Sequence, residues 1–221
     1  MPRIEWVSDP PQVIAKVSVK PTIHNVFILD TSTSMEGSKF DNAKKALLEQ
    51  IDTLRKETDV NYTFSVLQFS DADKVEFIMQ KTQSSGIPIF KEPNGWTALN
   101  DAIGYAVNTF IKDDAVGSDQ VVFKIFTDGE ENSSRKFSKK DIGILLSEIQ
   151  KDRSWVVTFI GTKSDVKEAT KIYSIDASNT LVHNNTGADI SRAISYDTTS
   201  TVNYSKRIIQ GDTSNTEFYN K

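Results

Sequence analysis

Carboxylate and hydroxyl side chains follow directly after an apolar stretch in the first quarter of the chain. Residues 26–29 are Val, Phe, Ile and Leu; the run stops at Asp30, and Ser32 and Ser34 come at alternating positions after it. An uninterrupted β-forming run of this kind is typical of a strand buried on both faces. The loop that leaves such a strand can direct one carboxylate and two hydroxyls at a single point. These oxygen donors suit a hard divalent cation such as Mg²⁺.

A simpler interpretation of the same residues is a strand followed by a helix cap. Asp, Ser and Thr are preferred at helix N-termini because their side-chain oxygens accept hydrogen bonds from the free amides of the first turn. Within this stretch alone, both interpretations stay open.

Two further segments supply the same residue types. Residues 121–126 form a second apolar run that ends at Thr127-Asp128-Gly129, and Thr97 follows a loop with two glycines and two prolines. In open α/β sheets, ligands bind at the carboxyl ends of the strands where the strand order reverses. If the strands before Asp30 and Asp128 are neighbours there, the two carboxylates meet and Thr97 can complete an oxygen shell. Three independent helix caps explain this arrangement less well.

Hydrophobic periodicity predicts strands that alternate with helices. Predicted strands cover residues 26–29, 62–70, 75–79, 121–126, 155–161 and 180–183, and predicted helices cover residues 39–57, 97–110, 139–151, 166–174 and 188–194. Alternation of this kind indicates a parallel sheet with helices on both faces. Residues 71–74 are too few for a helical crossover, so the second and third strands should pair as an antiparallel hairpin.

The composition divides the chain into three parts. Residues 1–21 contain four prolines and predict an extended arm with a short edge strand at residues 13–19. Residues 22–195 form the predicted α/β domain. Residues 196–221 are rich in Ser, Thr, Asn and Asp and predict a polar tail, partly docked through Ile208 and Ile209.

Charge and residue usage exclude several classes of function. The chain has 221 residues and a net charge of -4, which argues against general binding to nucleic acid or to anionic membranes. It has no cysteine, and its imidazoles are His24, expected at the surface or the start of a strand, and His183, expected to be structural. Disulfides and cysteine-ligated zinc are therefore excluded. The N-terminus lacks the apolar core of a signal peptide, so we expect a cytoplasmic protein, with a phage-encoded or virion-associated one as the alternative.

The three motifs together resemble a known family. Asp30-x-Ser32-x-Ser34, Gly95-Trp96-Thr97 and Thr127-Asp128-Gly129 look like the metal-ion-dependent adhesion site of von Willebrand factor type A domains, and the resemblance covers about residues 22–195. It implies a Rossmann-like three-layer α/β/α sandwich, with a mostly parallel central sheet and one antiparallel edge strand. It also implies a site for Mg²⁺, with Mn²⁺ or Ca²⁺ as alternatives.

By position in that motif, Ser32, Ser34 and Thr97 would coordinate the metal directly, and Asp30 and Asp128 directly or through water. Two carboxylates roughly neutralise a dication, and one octahedral position stays open. The resemblance therefore implies a protein-interaction module that engages a Glu or Asp carboxylate of a partner protein. Thr33 departs from the glycine of many members but removes no ligand. Residues 128–135 resemble stand-alone bacterial and phage members.

Two other classes of function are alternatives to an interaction module. A phosphotransferase built on Asp30 would normally have a second carboxylate two residues later, where this chain has Ser32, and Gly37-Ser38-Lys39 lacks the spacing of a phosphate loop. We therefore expect no enzymatic activity. The remaining alternative is a structural or decoration subunit of a phage or other assembly, or an accessory to a bacterial ATPase or stress-response complex.

The roles of three residues beside the motif also have two possible interpretations each. Trp96 is either part of a partner surface or a packed loop aromatic. Glu130 and Glu131 either tune the field at the metal or are ordinary solvated acids.

Overall fold

A six-stranded sheet forms the centre of the molecule. The structure is a computed structural model that describes residues 20–83, 86–113, 116–117, 119–152, 155–212 and 217–219. The strand order is β3-β2-β1-β4-β5-β6. The strands are β1 Thr22–Asp30, β2 Asn61–Phe69, β3 Val75–Thr82, β4 Gln120–Phe126, β5 Val156–Gly161 and β6 Thr180–Val182. Only the β2–β3 pair is antiparallel among these strands.

In the described parts of the chain, five α-helices cover the two faces of the sheet. They are α1 Ser38–Leu54, α2 Leu99–Ile111, α3 Lys139–Asp152, α4 Lys163–Ile172 and α5 Gly187–Ile209. The apolar stripes of α1 and α5 pack on one face, and α2 and α3 pack on the other, which gives two hydrophobic cores separated by the sheet. Burial of both faces explains why β1 and β4 are mostly apolar without strict alternation, although β4 also carries the buried Lys124.

The strand order places the ends of β1 and β4 side by side. From β1 the chain builds outward to β2 and β3, whereas β4, β5 and β6 extend in the opposite direction. The two central strands pair in parallel up to Leu29 and Phe126. Asp30 and Asp128 therefore follow neighbouring strands at the point where the strand order reverses, which is where open α/β sheets bind ligands.

The predicted three-layer fold, including the antiparallel β2–β3 edge hairpin, is confirmed. The predicted edge strand at residues 13–19 lies outside the described residues. His24 was expected at the surface or at the start of a strand, but it lies within β1 and is buried against Thr63. No helix in the described parts of the chain has the length and apolarity needed to span a membrane.

The end of the last predicted helix, at residue 194, is wrong. Helix α5 continues to Ile209, so the boundary that we placed at residue 195 falls inside it. Ser and Thr are modest helix formers, but tertiary packing overrides propensity when a helix buries one face. Ile208 is buried as expected for a docking residue, whereas Ile209 is 47% exposed.

The end of the described chain returns to the domain. Phe218 and Tyr219 are both buried. The Phe218 amide donates a hydrogen bond to Asn179 Oδ1 at 2.8 Å, and Tyr219 Oη donates one to Asp197 Oδ1 at 2.6 Å. This part of the predicted tail therefore belongs to the core.

Candidate metal centre

Asp30 is held rigidly at the end of β1. Its carboxylate is fully buried and accepts hydrogen bonds from the Ser32 amide at 2.7 Å and from Thr127 Oγ1 at 2.5 Å. Burial raises the pKa of Asp30 to about 6, against the lowering effect of these hydrogen bonds. A cation beside this carboxylate would compensate for the hydration that burial removes.

The β1 loop and the end of β4 are joined by a chain of side-chain hydrogen bonds. Ser32 Oγ and Ser34 Oγ lie 2.9 Å apart, and Ser34 Oγ donates to Asp128 Oδ1 at 2.6 Å. The other oxygen of Asp128 accepts a hydrogen bond from Lys39 Nζ, which also lies 3.3 Å from Asn185 Oδ1. The site therefore contains an ammonium group beside one of its two carboxylates.

Gly129 marks the point around which the oxygens gather. A methyl group built on Gly129 would lie 3.2 Å from Thr97 Oγ1, 3.3 Å from Ser34 Oγ and 3.8 Å from Asp30 Oδ2. The space beside this glycine is thus bordered by oxygens from the ends of β1 and β4 and from the loop before α2. All five residues predicted as metal ligands are brought to this one place: Asp30, Ser32, Ser34, Thr97 and Asp128.

The donor set suits hard divalent cations. Within the described residues, no three or more His, Cys, Asp or Glu side chains are grouped so that they could hold a metal ion. The candidate centre instead combines two carboxylates with three hydroxyls, and hard oxygen donors of this kind are preferred by Mg²⁺, Mn²⁺ and Ca²⁺.

The loop before α2 is fastened to the β1 loop. Thr33 donates from both its amide and its hydroxyl to the Gly95 carbonyl, each at 3.1 Å, and the Asn94 amide donates to the Thr31 carbonyl at 2.9 Å. The threonine at position 33 therefore adds a side-chain hydrogen bond that glycine could not make.

Trp96 is presented to solvent at the rim of the site. Its side chain is 66% exposed, so the alternative in which it packs inside the loop is wrong. The backbone is held by Asp71, whose Oδ1 accepts from the Trp96 amide at 2.8 Å. Gly95 has a φ of 79°, and a Cβ there would lie 2.3 Å from the Asp71 carboxylate, so only glycine fits. Lys74 and then the Trp96 amide hold the pKa of Asp71 below its usual value.

Glu131 organises the loop after β4. Its carboxylate accepts hydrogen bonds from the amides of Asn100, Ser133 and Ser134, and from Ser134 Oγ, at 2.7 to 3.0 Å. It therefore stabilises both the loop and the first turn of α2 rather than being an ordinary solvated acid. Glu130 is exposed beside the cleft.

Thr97 is joined to the same loop. The Thr97 amide donates to Asn132 Oδ1 at 2.8 Å, and the Asn132 amide donates to the Thr97 carbonyl at 3.0 Å. This reciprocal pair holds the third segment of the site against the loop that carries Asp128.

Sequence reasoning missed three residues at this centre. Thr127 belongs to a motif that predicts no role for it. The sequence around Lys39 shows only that it lacks the spacing of a phosphate loop, and Asp71 is predicted only to lie in a turn. A hydroxyl one residue before a motif carboxylate was a signal for Thr127. Lys39 and Asp71 reach the site from helix α1 and from the β2–β3 turn, and no local pattern signals those contacts.

Comparison with solved structures supports the fold. Proximal thread matrix protein 1 from the mussel byssus has 18% sequence identity and a TM-score of 0.60, and the match covers 79% of this chain and 44% of that one. The PilB minor pilin from Streptococcus sanguinis has 14% identity and a TM-score of 0.60, covering 89% of this chain and 63% of the pilin.

The von Willebrand factor domain of the type V pili tip protein Mfa5 from Porphyromonas gingivalis has 10% identity and a TM-score of 0.61. That match covers 88% of this chain and 97% of the Mfa5 domain. The chain thus spans less than two thirds of the byssus protein and of the minor pilin. A comparison with curated proteins found no match.

A family model covers most of the α/β domain. The model for the von Willebrand factor type A domain matches residues 26–196, which include all three oxygen-bearing segments, the second half of β1 and the other five strands of the sheet. Together with the sheet order, this match shows that the chain belongs to the von Willebrand factor type A domain family.

Proposed function

We propose that this chain is a metal-dependent protein-interaction module without enzymatic activity. Asp30, Ser32, Ser34, Thr97 and Asp128 hold Mg²⁺, and the bound metal engages a Glu or Asp carboxylate of a partner protein. Mn²⁺ or Ca²⁺ can take the same place. The observation that carries the proposal is the gathering of Thr97, Ser34 and Asp30 oxygens around the space beside Gly129.

The surroundings of the centre favour binding a macromolecule over catalysis. The cleft above it is open and is lined by Ser32, Thr33, Trp96 and Glu130 among others. An exposed tryptophan beside a charged centre is a common feature of protein-binding surfaces. Outside the set of candidate ligands, the side chains that hydrogen-bond to the two carboxylates are those of Thr127 and Lys39, and neither residue type is a usual general base.

An assembly role is the second candidate function. Solved structures with this fold include a minor pilin, a byssus matrix protein and a domain of a pili tip protein. A structural or decoration subunit could use the same metal-bound contact to a neighbouring subunit. The predicted intracellular location remains a prediction, and cell fractionation distinguishes it from a role in an assembly outside the cell.

Calorimetric titration of metal-stripped protein with Mg²⁺ and Mn²⁺ tests the proposal. We expect Asp30→Ala and Thr97→Ala each to weaken metal binding by more than about tenfold, because each removes an oxygen donor or its charge. Asp52→Ala and Thr53→Ala are matched controls at exposed positions of α1 and should bind metal like the wild type. Circular dichroism establishes that each variant is folded.

If both site variants keep full metal affinity, the site assignment is wrong. If metal binds as expected, a partner recovered in Mg²⁺ should be released by a chelator and should not be recovered by Asp30→Ala. A partner that is retained in the chelator would contradict the metal-bridged contact.

A further inference from the structure

A second cavity lies beside the candidate metal centre. It has a volume of about 280 Å³ and is formed by the start of α2, the loop after β4 and one side of α4. Gly129 and Glu130 line both this cavity and the cleft over the metal centre. The two depressions therefore share a wall, and one extended peptide segment can reach both.

The inner surface of the cavity is apolar. Leu99, Phe159 and Tyr173 are buried along it, and Ile172 is 38% exposed at its edge. The hydroxyl of Tyr173 is committed, since it donates to Asn100 Oδ1 at 2.8 Å. The volume of this cavity is just below the range of about 300 to 1,000 Å³ that is usual for small-molecule pockets. Its size and apolar surface therefore suit a single large apolar side chain.

Most carboxylates around the cavity are already used within the protein. Glu131 holds the loop after β4, as described above. Asp165 forms the capping box of α4 with Thr162. Glu168 pairs with Lys139 at 2.6 Å. Of these three acids, only Glu168 is neutralised by a cation, whereas Glu131 and Asp165 keep their charge with their oxygens engaged in hydrogen bonds within the protein.

The lysines on the α4 side are available. Lys167 and Lys171 are exposed, one helical turn apart, and both line the cavity. Within the described part of the chain, neither has a carboxylate within ion-pair distance, whereas Lys139 close by is paired. Glu130 is exposed on the shared wall and disfavours a carboxylate directly above it. The two exposed lysines thus make the α4 rim of the cavity locally complementary to an acidic group.

We propose that this cavity is a second contact point for the partner that binds the metal. The partner segment carries a Glu or Asp that meets the metal, then a large apolar residue that enters the cavity, then a second acidic residue that pairs with Lys167 and Lys171. The inference rests on the proposed function, because the metal-bound carboxylate is its first contact.

A selection of random peptides displayed on bacteriophage tests this proposal on the full chain in Mg²⁺. We expect peptides that are released by a chelator to carry an acidic residue, then a large apolar residue, then a second acidic residue. Synthetic copies of these peptides are then measured by fluorescence anisotropy against the wild type and its variants.

Charge reversal at both lysines, Lys167→Glu with Lys171→Glu, should weaken binding at least about tenfold. The control pair Lys45→Glu with Lys56→Glu makes the same change in net charge on α1 and in the turn after it, at residues that do not line the cavity, and should have a much smaller effect. A peptide whose second acidic residue is changed to lysine should recover affinity for the reversed variant. A peptide whose apolar residue is changed to glycine should lose affinity for all of them.

The outcomes separate the two proposals. Peptides that need Mg²⁺ but are insensitive to the reversal at Lys167 and Lys171, or to loss of the apolar residue, would overturn the second contact point and leave the metal-dependent function standing. The proposed function itself would be contradicted by peptides that bind as tightly in the presence of a chelator, and to the Asp30→Ala variant, as they bind to the wild type in Mg²⁺. A selection that yields no Mg²⁺-dependent peptide would contradict it as well.

Discussion

Lys39 changes the charge count at the candidate metal centre. Asp30 and Asp128 by themselves would neutralise a dication, but the Lys39 ammonium donates to Asp128 Oδ2. The Asp128 side chain is fully buried and that of Lys39 is only 20% exposed, so this pair is poorly screened by solvent. With Mg²⁺ bound, the centre would carry one net positive charge, which would strengthen its attraction for an anionic group of a partner.

Lys39→Met is therefore expected to raise the affinity for Mn²⁺ about tenfold, because it removes a cation that repels the metal. Calorimetric titration measures this change, and Lys45→Met on the exposed side of the same helix is the control. Affinity for an acidic partner peptide should fall in the same variant. Unchanged or weaker Mn²⁺ binding would show that Lys39 acts by orienting Asp128.

A substitution at Gly129 tests the position of the metal without removing any candidate ligand. A methyl group there would lie 3.2 Å from Thr97 Oγ1 and 3.3 Å from Ser34 Oγ, which is closer than carbon normally approaches oxygen. We expect Gly129→Ala to weaken Mg²⁺ binding about tenfold in calorimetry while the protein stays folded. Wild-type affinity in this variant would place the metal away from the space beside Gly129.

At the scale of elements, helix α5 is fixed to the sheet by a buried polar network. Lys124 on β4 and Asp197 on α5 form an ion pair in which both side chains are at most 3% exposed. Gln50 on α1 donates to Asp197 Oδ2 at 2.7 Å, and Tyr219 donates to its other oxygen. Burial lowers the pKa of Lys124, and the Asp197 carboxylate opposes that shift. One carboxylate thus joins α1, β4, α5 and the end of the described chain.

Breaking this pair on one side should be costly. Lys124→Met leaves Asp197 buried without its counter-charge and is expected to lower the free energy of unfolding by about 3–5 kcal/mol. The double variant Lys124→Met with Asp197→Asn removes both charges and should recover much of that loss. Urea unfolding measures both, with the exposed Lys45→Met as the control. A double variant less stable than the single one would contradict this account.

For the whole molecule, His24 makes stability depend on pH. Its imidazole is buried, with Nδ1 lying 2.6 Å from Thr63 Oγ1. Burial lowers the pKa of His24 from 6.5, and Asp119 opposes that effect. Because the folded pKa is below the unfolded one, the unfolded state binds the proton more tightly. The stability that His24 contributes by staying neutral is therefore fully present above about pH 6.5, and it is lost as the pH falls through the lowered pKa.

His24→Gln should accordingly lose less stability than the wild type between about pH 7.5 and pH 5. Thermal or urea unfolding across this range measures the slope. Thr63→Val is the matched control, since it removes the hydroxyl partner and retains the imidazole that titrates. An equal slope in His24→Gln and the wild type would contradict the assignment.

Tertiary packing decided features that local patterns missed. Residues 196–209 are rich in Ser and Thr, so composition predicted a tail, but Ser200, Thr201 and Tyr204 are buried on one face of α5. The Thr201 hydroxyl donates within the helix to the Asp197 carbonyl at 2.7 Å, and the Tyr204 hydroxyl donates to Gln120 on β4 at 2.9 Å. A hydrophobicity pattern does not register such a face because its small polar residues are buried by contacts with another element.

The sequence by itself determined the fold and the set of candidate ligands. Apolar runs that end at Asp30 and Asp128 indicate buried parallel strands, and parallel strands place their carboxyl ends at one edge of the sheet. The tertiary structure alone decided that Lys39 contacts Asp128, that Glu131 holds a loop and that Trp96 faces solvent. Local periodicity encodes which face of an element is buried. Contacts between distant residues depend on how the elements pack against one another, and only the folded chain specifies that.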